Sequence, residues 1–326
     1  MNISVIGAGA WGTALANLLG ANQHAVTLWG HDASHLEQLR QTNRNENHLP
    51  GVELSPGLKF ETDLTKAVAE SGAVIIAVPS KFFREITKRL SGFDGIAVSV
   101  TKGIEYETGL TMSGVLKSTL PRAKHAALSG PTLALEVAQG IPAAIVAASE
   151  VAEVAKTVQT LFLRPTFRVY TSEDLLGVEL GGALKNVVAI AAGMSDGLGF
   201  GDNAKAALIT RAIVEIRRLG VACGANAETF SGLSGLGDLT VTCFSKLSRN
   251  RGFGERLGRG KSVEEILATT SSVAEGHPTA RSAFQLARKL KIETPIIDEV
   301  HAMLYEGKQV RAAVHDLMSR DTKPEN

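Results

Sequence analysis

Two lysines that stand among small and polar residues are the side chains best suited to proton transfer. Lys102 lies in Thr101-Lys102-Gly103, and Lys185 lies in Gly182-Ala183-Leu184-Lys185-Asn186. A lysine that is desolvated in a cleft, close to a second cation, has its pKa lowered enough to act as a base. We therefore expect Lys185 to serve as a general acid and base, with Lys102 supplying the neighbouring positive charge.

Further polar motifs follow in the second half of the chain. Asp238 comes after Gly235-Leu236-Gly237, in an expected loop, where its carboxylate can hydrogen-bond substrate hydroxyls, orient a lysine ammonium or cap a helix. Ser248-Arg249-Asn250 sets a guanidinium fork beside a hydroxyl and an amide, a combination suited to phosphate. Thr242 lies one helical turn beyond Asp238 and either lines the same pocket or packs inside the fold.

A glycine loop near the N-terminus indicates a nucleotide cofactor. Gly7-Ala8-Gly9-Ala10-Trp11-Gly12 follows the apolar run Ile3–Ile6 and opens a helical pattern. Its glycines suit a tight turn, close approach of the backbone to a pyrophosphate, and close packing of helix on strand, while the helix N-terminus offers unpaired N–H groups. We predict that NAD or NADP binds here, through Gly7, Gly9, Ala10, Trp11 and Gly12.

The end of the second predicted strand bears on which dinucleotide is bound. An acidic residue about 20 residues beyond the glycine loop grips the ribose hydroxyls in many NAD-binding folds. Here the strand runs into Trp29-Gly30-His31-Asp32, so Gly30 stands near the place of that acid. His31 either stacks on adenine, pairs with a 2′-phosphate or is a solvent-exposed loop residue, and Asp32 suits a helix cap. NADP is favoured and NAD stays open.

The first half of the chain has the pattern of an α/β fold. Short apolar runs alternate with amphipathic segments from Met1 to about Tyr170, which predicts a mostly parallel sheet with helices on both faces. We assign residues 1–170 to a Rossmann-type dinucleotide-binding domain. Motifs at the carboxyl ends of its strands should line the ligand site. The predicted strands are Ile3–Ile6, Ala25–Trp29, Ala73–Val78, Ile96–Val100, Ala126–Leu128 and Ala143–Ala148.

The second half predicts an all-α domain over residues 171–326, which would bind substrate in a cleft shared with the first. Apolar residues recur at helical spacing, as at Leu180, Leu184 and Val187. Pro278 and Pro295 suit first-turn positions of helices. Further predicted helices are Ala204–Leu219, Val263–Ala268, Ala280–Leu290 and Ile296–Leu304.

Composition narrows the class of partner. The net charge of +1 argues against nucleic acid as the main ligand. Arg251, Arg256, Arg259 and Lys261 form a basic run whose outer residues we interpret as a solvated loop. Two cysteines, without a secretory signal, predict a reducing cytoplasmic compartment. The apolar runs are shorter than a membrane span, and no His, Cys, Asp or Glu cluster has metal-ligand spacing, so we expect neither an integral membrane segment nor a metal.

These motifs together resemble the bacterial NAD(P)-dependent sn-glycerol-3-phosphate dehydrogenase family. The resemblance runs from the glycine loop to Val273-Ala274-Glu275-Gly276, nearly the whole chain. It implies a Rossmann domain followed by a helical domain, and interconversion of sn-glycerol 3-phosphate and dihydroxyacetone phosphate by hydride transfer with NAD(P). It also implies a role in supplying glycerophospholipid synthesis, a cytoplasmic location and a homodimer.

The resemblance assigns roles to matching residues of this chain. Lys185 becomes the catalytic acid and base, and Lys102 a contact to both cofactor and substrate. Ala10 and Trp11 replace other residues found in some members. We therefore expect these two positions to contact the cofactor mainly through the backbone and through packing of the Trp11 ring. The substrate set is Lys102, Gly130, Thr132, Lys185, Asp238, Ser248, Arg249 and Asn250, and the cofactor set adds His31, Ala134, Arg249, Val273 and Glu275 to Lys102 and the glycine loop.

Two other readings compete with this one. A β-hydroxyacid or phosphogluconate dehydrogenase also joins a Rossmann domain to helices and uses a lysine next to an asparagine, and fold alone does not separate the families. The Ser248-Arg249-Asn250 and Gly235-Leu236-Gly237-Asp238 motifs favour the glycerol phosphate family. A redox sensor that binds dinucleotide without catalysis would need no acid/base lysine.

Overall fold

The sheet forms the first part of the fold. We describe residues 1–269, 274–322 and 324–325 of a computed structural model. In this part of the chain one sheet has the strand order β3-β2-β1-β4-β5-β6-β7-β8, with β7 antiparallel to β6 and every other neighbouring pair parallel. The strands are β1 (Asn2–Ile6), β2 (Ala25–Trp29), β3 (Lys59–Glu61), β4 (Ala73–Ile76), β5 (Ile96–Ser99), β6 (Lys124–Ser129), β7 (Ala143–Ala148) and β8 (Phe167–Ser172).

Helices cover both faces of this sheet, because its strands are apolar on both sides. Within β1, Val5 packs into one buried cluster with Leu15, whereas the next residue, Ile6, packs on the opposite face with Phe83. Such continuous burial is typical of parallel sheets. The helices that connect the strands are α1 (Ala10–Ala21), α2 (Ala33–Thr42), α3 (Leu64–Val68), α4 (Ser80–Lys88), α5 (Met112–Thr119), α6 (Ala134–Ala138) and α7 (Ala152–Phe162).

The second half is helical. Its helices are α8 (Leu175–Gly197), α9 (Asp202–Ala222), α10 (Asp238–Phe244), α11 (Arg249–Gly258), α12 (Val263–Thr269), α13 (Gly276–Leu290), α14 (Pro295–Tyr305) and α15 (Val310–Met318), with a 3₁₀ turn at Ala227–Ser231 and a π-helical turn at Leu233–Gly237.

Helix α8 is the centre of the helical half. A Cβ atom on Gly193 would lie 1.9 Å from the Arg251 carbonyl oxygen, and one on Gly254 would lie 1.9 Å from that of Ile190, so α8 and α11 touch backbone to backbone. At 23 residues and a mean hydropathy of 1.5, α8 is long and apolar enough to cross a membrane. However, 89% of its most apolar stretch of 18 residues is buried inside the fold, which is typical of a core helix.

The predicted fold class, a mostly parallel Rossmann-type sheet followed by helices, is confirmed. The structure differs from the prediction in segments whose hydrophobic pattern is weak. The prediction missed β3, which has three residues, and β8, where buried Phe167 and Val169 alternate with exposed Arg168 and Tyr170. The predicted helices are present with shifted ends, and Pro295 begins α14. Strand β8 ends at Ser172 and α8 starts at Leu175; the division at 170/171 stays a prediction.

Candidate active site

A buried carboxylate lies between the two lysines that the sequence singled out. Asp238 is 1% exposed. Its Oδ2 is 2.6 Å from Lys102 Nζ, and its Oδ1 is 3.0 Å from Lys185 Nζ. Lys102 Nζ also donates to the Gly130 carbonyl at 3.0 Å. The structure thus brings together, at one point, groups from the sheet half and the helical half of the protein.

Lys185 has the surroundings of a tuned acid/base group. It is 7% exposed, and burial lowers its pKa from 10.5 to about 8. The nearby charge of Asp238 opposes this effect, and the charge of Lys102 adds to it. Lys185 Nζ also donates to Thr242 Oγ1 at 2.6 Å, and Thr242 Oγ1 donates to the Asp238 carbonyl at 2.6 Å. Thr242 therefore lines the site.

The elements that hold these groups differ in one respect from the expectation. Lys102 and Gly130 follow β5 and β6 at the carboxyl edge of the sheet, as the strand pattern predicted. Asp238 was expected in a loop, which is wrong: it is the first residue of α10, directly after the π-helical turn Leu233–Gly237. A Cβ on Gly235 would meet the Phe230 carbonyl oxygen at 2.2 Å, so this tight turn requires glycine.

A chain of amide contacts adjoins the lysines. Asn250 Nδ2 donates to Asn186 Oδ1 at 2.8 Å, and Asn250 Oδ1 accepts from the Gly276 N–H at 2.9 Å. Ser248 is the N-cap of α11, since its Oγ accepts from the Arg251 N–H at 3.2 Å. These contacts fix the α11 N-terminus beside the residue that follows Lys185.

Arg249 begins α11 and is exposed. Desolvation by the surrounding protein nevertheless lowers the pKa of its guanidinium, while the charge of Glu275 opposes that shift. A guanidinium in this position, at a helix N-terminus, suits an anionic group of a ligand.

The glycine loop fits a dinucleotide. Gly7 has φ +122°, and a Cβ on Gly12 would lie 1.9 Å from the Gly7 carbonyl oxygen. Around a Cβ built on Gly9, in contrast, no described atom lies within 4 Å, so the loop is open on that side. Gly9 precedes the first turn of α1, where Ala10 and Trp11 are partly buried. An open face beside helix N–H groups is the cradle that a pyrophosphate needs.

The structure shows what surrounds the predicted adenosine end. His31 is exposed. Asp32 caps α2, because its carboxylate accepts from the His35 N–H at 3.1 Å. A Cβ on Gly30 would lie 3.1 Å from a Leu36 methyl group, so an acid in place of this glycine would displace its neighbour. His31 and Asp32 are therefore both polar side chains at the surface of this turn.

One supporting residue of the glycine loop escaped the sequence reading. Asn45 is fully buried, and its Nδ2 donates to the Ala8 carbonyl at 3.1 Å and to Thr13 Oγ1 at 2.7 Å. In the sequence, Asn45 is one of several polar residues after α2, and only its amide group hinted at a hydrogen-bonding role. Asn45 thus fixes the loop from outside the glycine motif.

The remaining predicted residues lie at the border of the two halves. Glu275, partly buried, accepts from Ser80 N at 3.0 Å and from Ser80 Oγ at 2.5 Å, and desolvation raises its pKa. Thr132 Oγ1 donates to the Gly130 carbonyl at 3.1 Å, and Ala134 begins α6. Val273, also predicted to contact cofactor, lies outside the described residues.

Helix α11 contains Arg251 and Arg256 of the basic run, whereas Arg259 and Lys261 follow the helix and are exposed, as expected for the outer residues. Arg251 is buried, with its Nε 2.6 Å from Asp196 Oδ2 and its Nη1 3.1 Å from Glu255 Oε2. Phe253 is 1% exposed and so offers no stacking platform to a base. Over the described part of the chain, no group of three His, Cys, Asp or Glu side chains is arranged to hold a metal.

Comparison with known proteins decides the family. Residues 2–155 match the profile of the NAD-dependent glycerol-3-phosphate dehydrogenase N-terminus, and residues 174–315 match that of the C-terminus. A glycerol-3-phosphate dehydrogenase [NAD(P)+] from Syntrophotalea carbinolica is 51% identical over 100% of this chain and 99% of its own. The chain belongs to the NAD-dependent glycerol-3-phosphate dehydrogenase family. The predicted family, enzyme class and NAD(P) cofactor are thereby confirmed.

Solved structures agree with this membership. The crystal structure of glycerol-3-phosphate dehydrogenase from Coxiella burnetii has a TM-score of 0.94 at 37% identity, covering 98% of this chain and 99% of that one. The enzyme from Saccharomyces cerevisiae has a TM-score of 0.84 at 27% identity, with coverage of 98% and 99%. The structural match to the family therefore covers the helical half of this dehydrogenase as well as its sheet.

Proposed function

We propose that this chain interconverts sn-glycerol 3-phosphate and dihydroxyacetone phosphate, with Lys185 as the acid and base. The observation that carries the proposal is the buried Lys185–Asp238–Lys102 cluster at the carboxyl edge of the sheet. Oxidation of a secondary alcohol requires removal of the hydroxyl proton, and reduction of the ketone requires its return. A lysine whose pKa lies at about 8 serves both directions near neutral pH.

The other members of the cluster hold Lys185 in place for that transfer. Asp238 and Thr242 occupy two directions around the Lys185 ammonium, which leaves its remaining hydrogen free to point at the substrate oxygen. Lys102 reaches the same carboxylate from the sheet side. When bound, NAD(P) supplies or accepts the hydride. The glycine loop and α1 N-terminus would hold its pyrophosphate.

The phosphate of the substrate is assigned to the N-terminus of α11. Arg249 offers a planar guanidinium, and the first-turn N–H groups of the helix favour an anion. Ser248 and Asn250 flank the arginine and are both buried. Gly130 and Thr132 would approach the carbon chain of the substrate from the opposite, sheet side. Lys102 would touch substrate and cofactor.

The remaining proposals concern cofactor choice and setting. The absence of an acid at Gly30 and the exposed His31 support NADP over NAD. Ala134, Glu275, Val273 and Arg249 are proposed as further cofactor contacts. We also propose that the enzyme supplies glycerol 3-phosphate to glycerophospholipid synthesis, acts in the cytoplasm and forms a homodimer.

Substrate identity is tested by following NADPH and NADH oxidation with dihydroxyacetone phosphate and, separately, with 3-oxo acids. We expect turnover with dihydroxyacetone phosphate alone. Lys185→Ala should abolish it while NADPH still binds. Arg249→Ala should raise KM for the phosphorylated ketone by at least about tenfold, because it removes a charged phosphate contact. An unchanged KM, or activity with the 3-oxo acids only, would refute this placement.

A further inference from the structure

A short segment of the sheet half is inserted against the helical half, two residues beyond Lys102. We call Ile104, Glu105 and Tyr106 the anchor segment. Ile104 is 3% exposed and belongs to the main apolar cluster of the helical half, together with Leu184. Its carbonyl accepts a hydrogen bond from Ser282 Oγ at 3.0 Å. The backbone that carries Lys102 therefore continues directly into the other half of the protein.

Tyr106 extends the attachment along α13. The Arg281 guanidinium lies 4.0 Å from the centroid of the Tyr106 ring, and Gln285 Nε2 donates to Tyr106 Oη at 2.8 Å. Arg281, Ser282 and Gln285 are spaced so that they share one face of α13. One helix face thus makes three separate contacts to the anchor segment.

The same segment is fixed to the sheet half by Glu105. Its carboxylate accepts two hydrogen bonds from the Arg84 guanidinium, at 2.7 and 2.6 Å, and these bonds lower the pKa of Glu105. A two-point arginine–carboxylate contact resists rotation as well as separation. Movement of α13 relative to the sheet would therefore act on the backbone next to Lys102.

This connection matters because the acid/base cluster is assembled from both halves. Lys102 belongs to the loop after β5, whereas Asp238 and Lys185 belong to α10 and α8. The 2.6 Å contact between Lys102 and Asp238 exists only while the halves keep their present register. The anchor segment begins two residues after Lys102, one of the two partners in that contact.

We propose that Tyr106, stacked on Arg281, is a positioning residue that holds Lys102 on Asp238 during the reaction. The proposal rests on the proposed function for its kinetic test. An arginine–tyrosine stack at the surface contributes little to global stability. A displacement of about 1 Å among reacting groups, in contrast, can lower a rate by about a hundredfold.

The kinetic test compares Tyr106→Ala, Tyr106→Phe and Arg281→Gln with the wild-type enzyme. We expect Tyr106→Ala and Arg281→Gln to lower kcat for dihydroxyacetone phosphate reduction about tenfold or more, with KM for NADPH within about twofold. Tyr106→Phe keeps the ring and should restore kcat. Arg281 is exposed, so its substitution tests the proposal even where Tyr106→Ala folds poorly.

A matched control comes from the same helix. Arg288 also stacks on an aromatic ring, with its guanidinium 4.8 Å from the Phe284 centroid, and pairs with Asp298 at 2.6 Å. Both of these contacts stay within the helical half. Arg288→Gln should therefore leave kcat unchanged while removing an interaction of the same kind.

A second readout needs no substrate. Asp238, Lys102, Thr242 and Cys243 face the Lys185 amine, and among them the Lys102 charge lowers its pKa. Release of Lys102 should therefore raise the pKa of Lys185, measured by competitive acetylation with acetic anhydride at a series of pH values. We expect an upward shift of at least about half a pH unit in Tyr106→Ala and Arg281→Gln.

Together, kcat and Lys185 labelling distinguish failure of the positioning role from failure of the proposed function. Wild-type kcat and Lys185 labelling retained in both disruptive variants, or Tyr106→Phe behaving like Tyr106→Ala, would overturn the positioning role. If the wild-type protein does not reduce dihydroxyacetone phosphate, the proposed function fails, and the labelling shift still decides whether the anchor segment holds Lys102.

Discussion

Asp238→Asn tests whether the buried carboxylate sets the protonation of Lys185. Asparagine keeps the size of the side chain but removes the charge that now lies 2.6 Å from Lys102 and 3.0 Å from Lys185. In the variant, burial and the Lys102 charge would both disfavour the ammonium form of Lys185, without the opposing carboxylate. The direction is therefore fixed: the pKa of Lys185 falls.

The size of the effect follows from the cost of breaking a buried ion pair, about 3–5 kcal/mol. Two lysines share the carboxylate, so we assign about half of this to Lys185. One pKa unit corresponds to about 1.4 kcal/mol, so the shift is about 1 to 2 pH units. It starts from the wild-type value of about 8.

The assay is the pH dependence of kcat/KM in both directions, from about pH 6 to 10. Oxidation of glycerol 3-phosphate needs neutral Lys185, so its rate rises with pH through the lysine pKa. Reduction needs the ammonium form, so its rate falls through the same pKa. In Asp238→Asn both limbs should move to lower pH together, which a general loss of structure would not produce.

The control is Asp196→Asn, a partly buried carboxylate between two cations, 2.7 Å from Lys205 and 2.6 Å from Arg251. This variant should leave both limbs in place. Limbs that stay at the wild-type pH in Asp238→Asn, or that move equally in Asp196→Asn, would refute the assignment of the carboxylate to Lys185.

Three further predictions concern stability and cofactor binding. Lys185→Met should stop turnover yet raise the free energy of unfolding at pH 7 by about 1–3 kcal/mol, because burial lowers the lysine pKa from 10.5 to about 8 and Asp238 keeps its ion pair with Lys102. Urea unfolding should show this gain shrinking between pH 8 and 10.5, and a loss of stability at pH 7 would contradict it. Gly9→Ala should keep Tm within about 2 °C, because the added methyl group meets no described atom within 4 Å. It should raise the Kd for NADPH at least about tenfold, because the methyl group occupies the open side of the loop. An unchanged Kd in a fluorescence titration would show that the pyrophosphate does not bind at Gly9. Glu215 accepts from the N–H groups of Ile296 and Ile297, and burial raises its pKa from 4.5 to about 7. Glu215 should therefore contribute a fall in stability as pH rises from 4.5 to 7, and Glu215→Gln should lack that contribution in urea unfolding; the same slope in both proteins would exclude it.

The positions of Lys102 and of the glycine loop could be predicted from sequence because they depend on local patterns. Lys102 follows a strand that is apolar throughout, and the carboxyl end of such a strand lies at the ligand edge of a parallel sheet. Gly12 is required by a contact within a few residues, because a Cβ there would lie 1.9 Å from the Gly7 carbonyl oxygen. Signals of this range are readable without knowing the rest of the fold.

What the sequence did not reveal depends on distant partners. Arg251 looked like one charge in a basic run, but Asp196, on the neighbouring α8, neutralises it inside the protein. Strand β3 has three residues and exists through its pairing with β2, where Thr27 lies beside Lys59. The turn before Asp238 is helical because Gly235 packs on Phe230, although glycine disfavours helices. Tertiary contacts override local preference in each case.

Because Asp238 lies between two lysines, the alignment of the two halves of the protein is coupled to the protonation of Lys185. Lys102 comes from the half that would hold the cofactor, and Lys185 from the half that would hold the substrate phosphate. One carboxylate pairs with both, so the contact that aligns the halves also determines how much negative charge Lys185 experiences. A change that separates the halves should then disturb reactant geometry and lysine protonation together. For this reason kcat and the pH limbs are the quantities to measure in parallel, at the carboxylate as well as at the anchor segment.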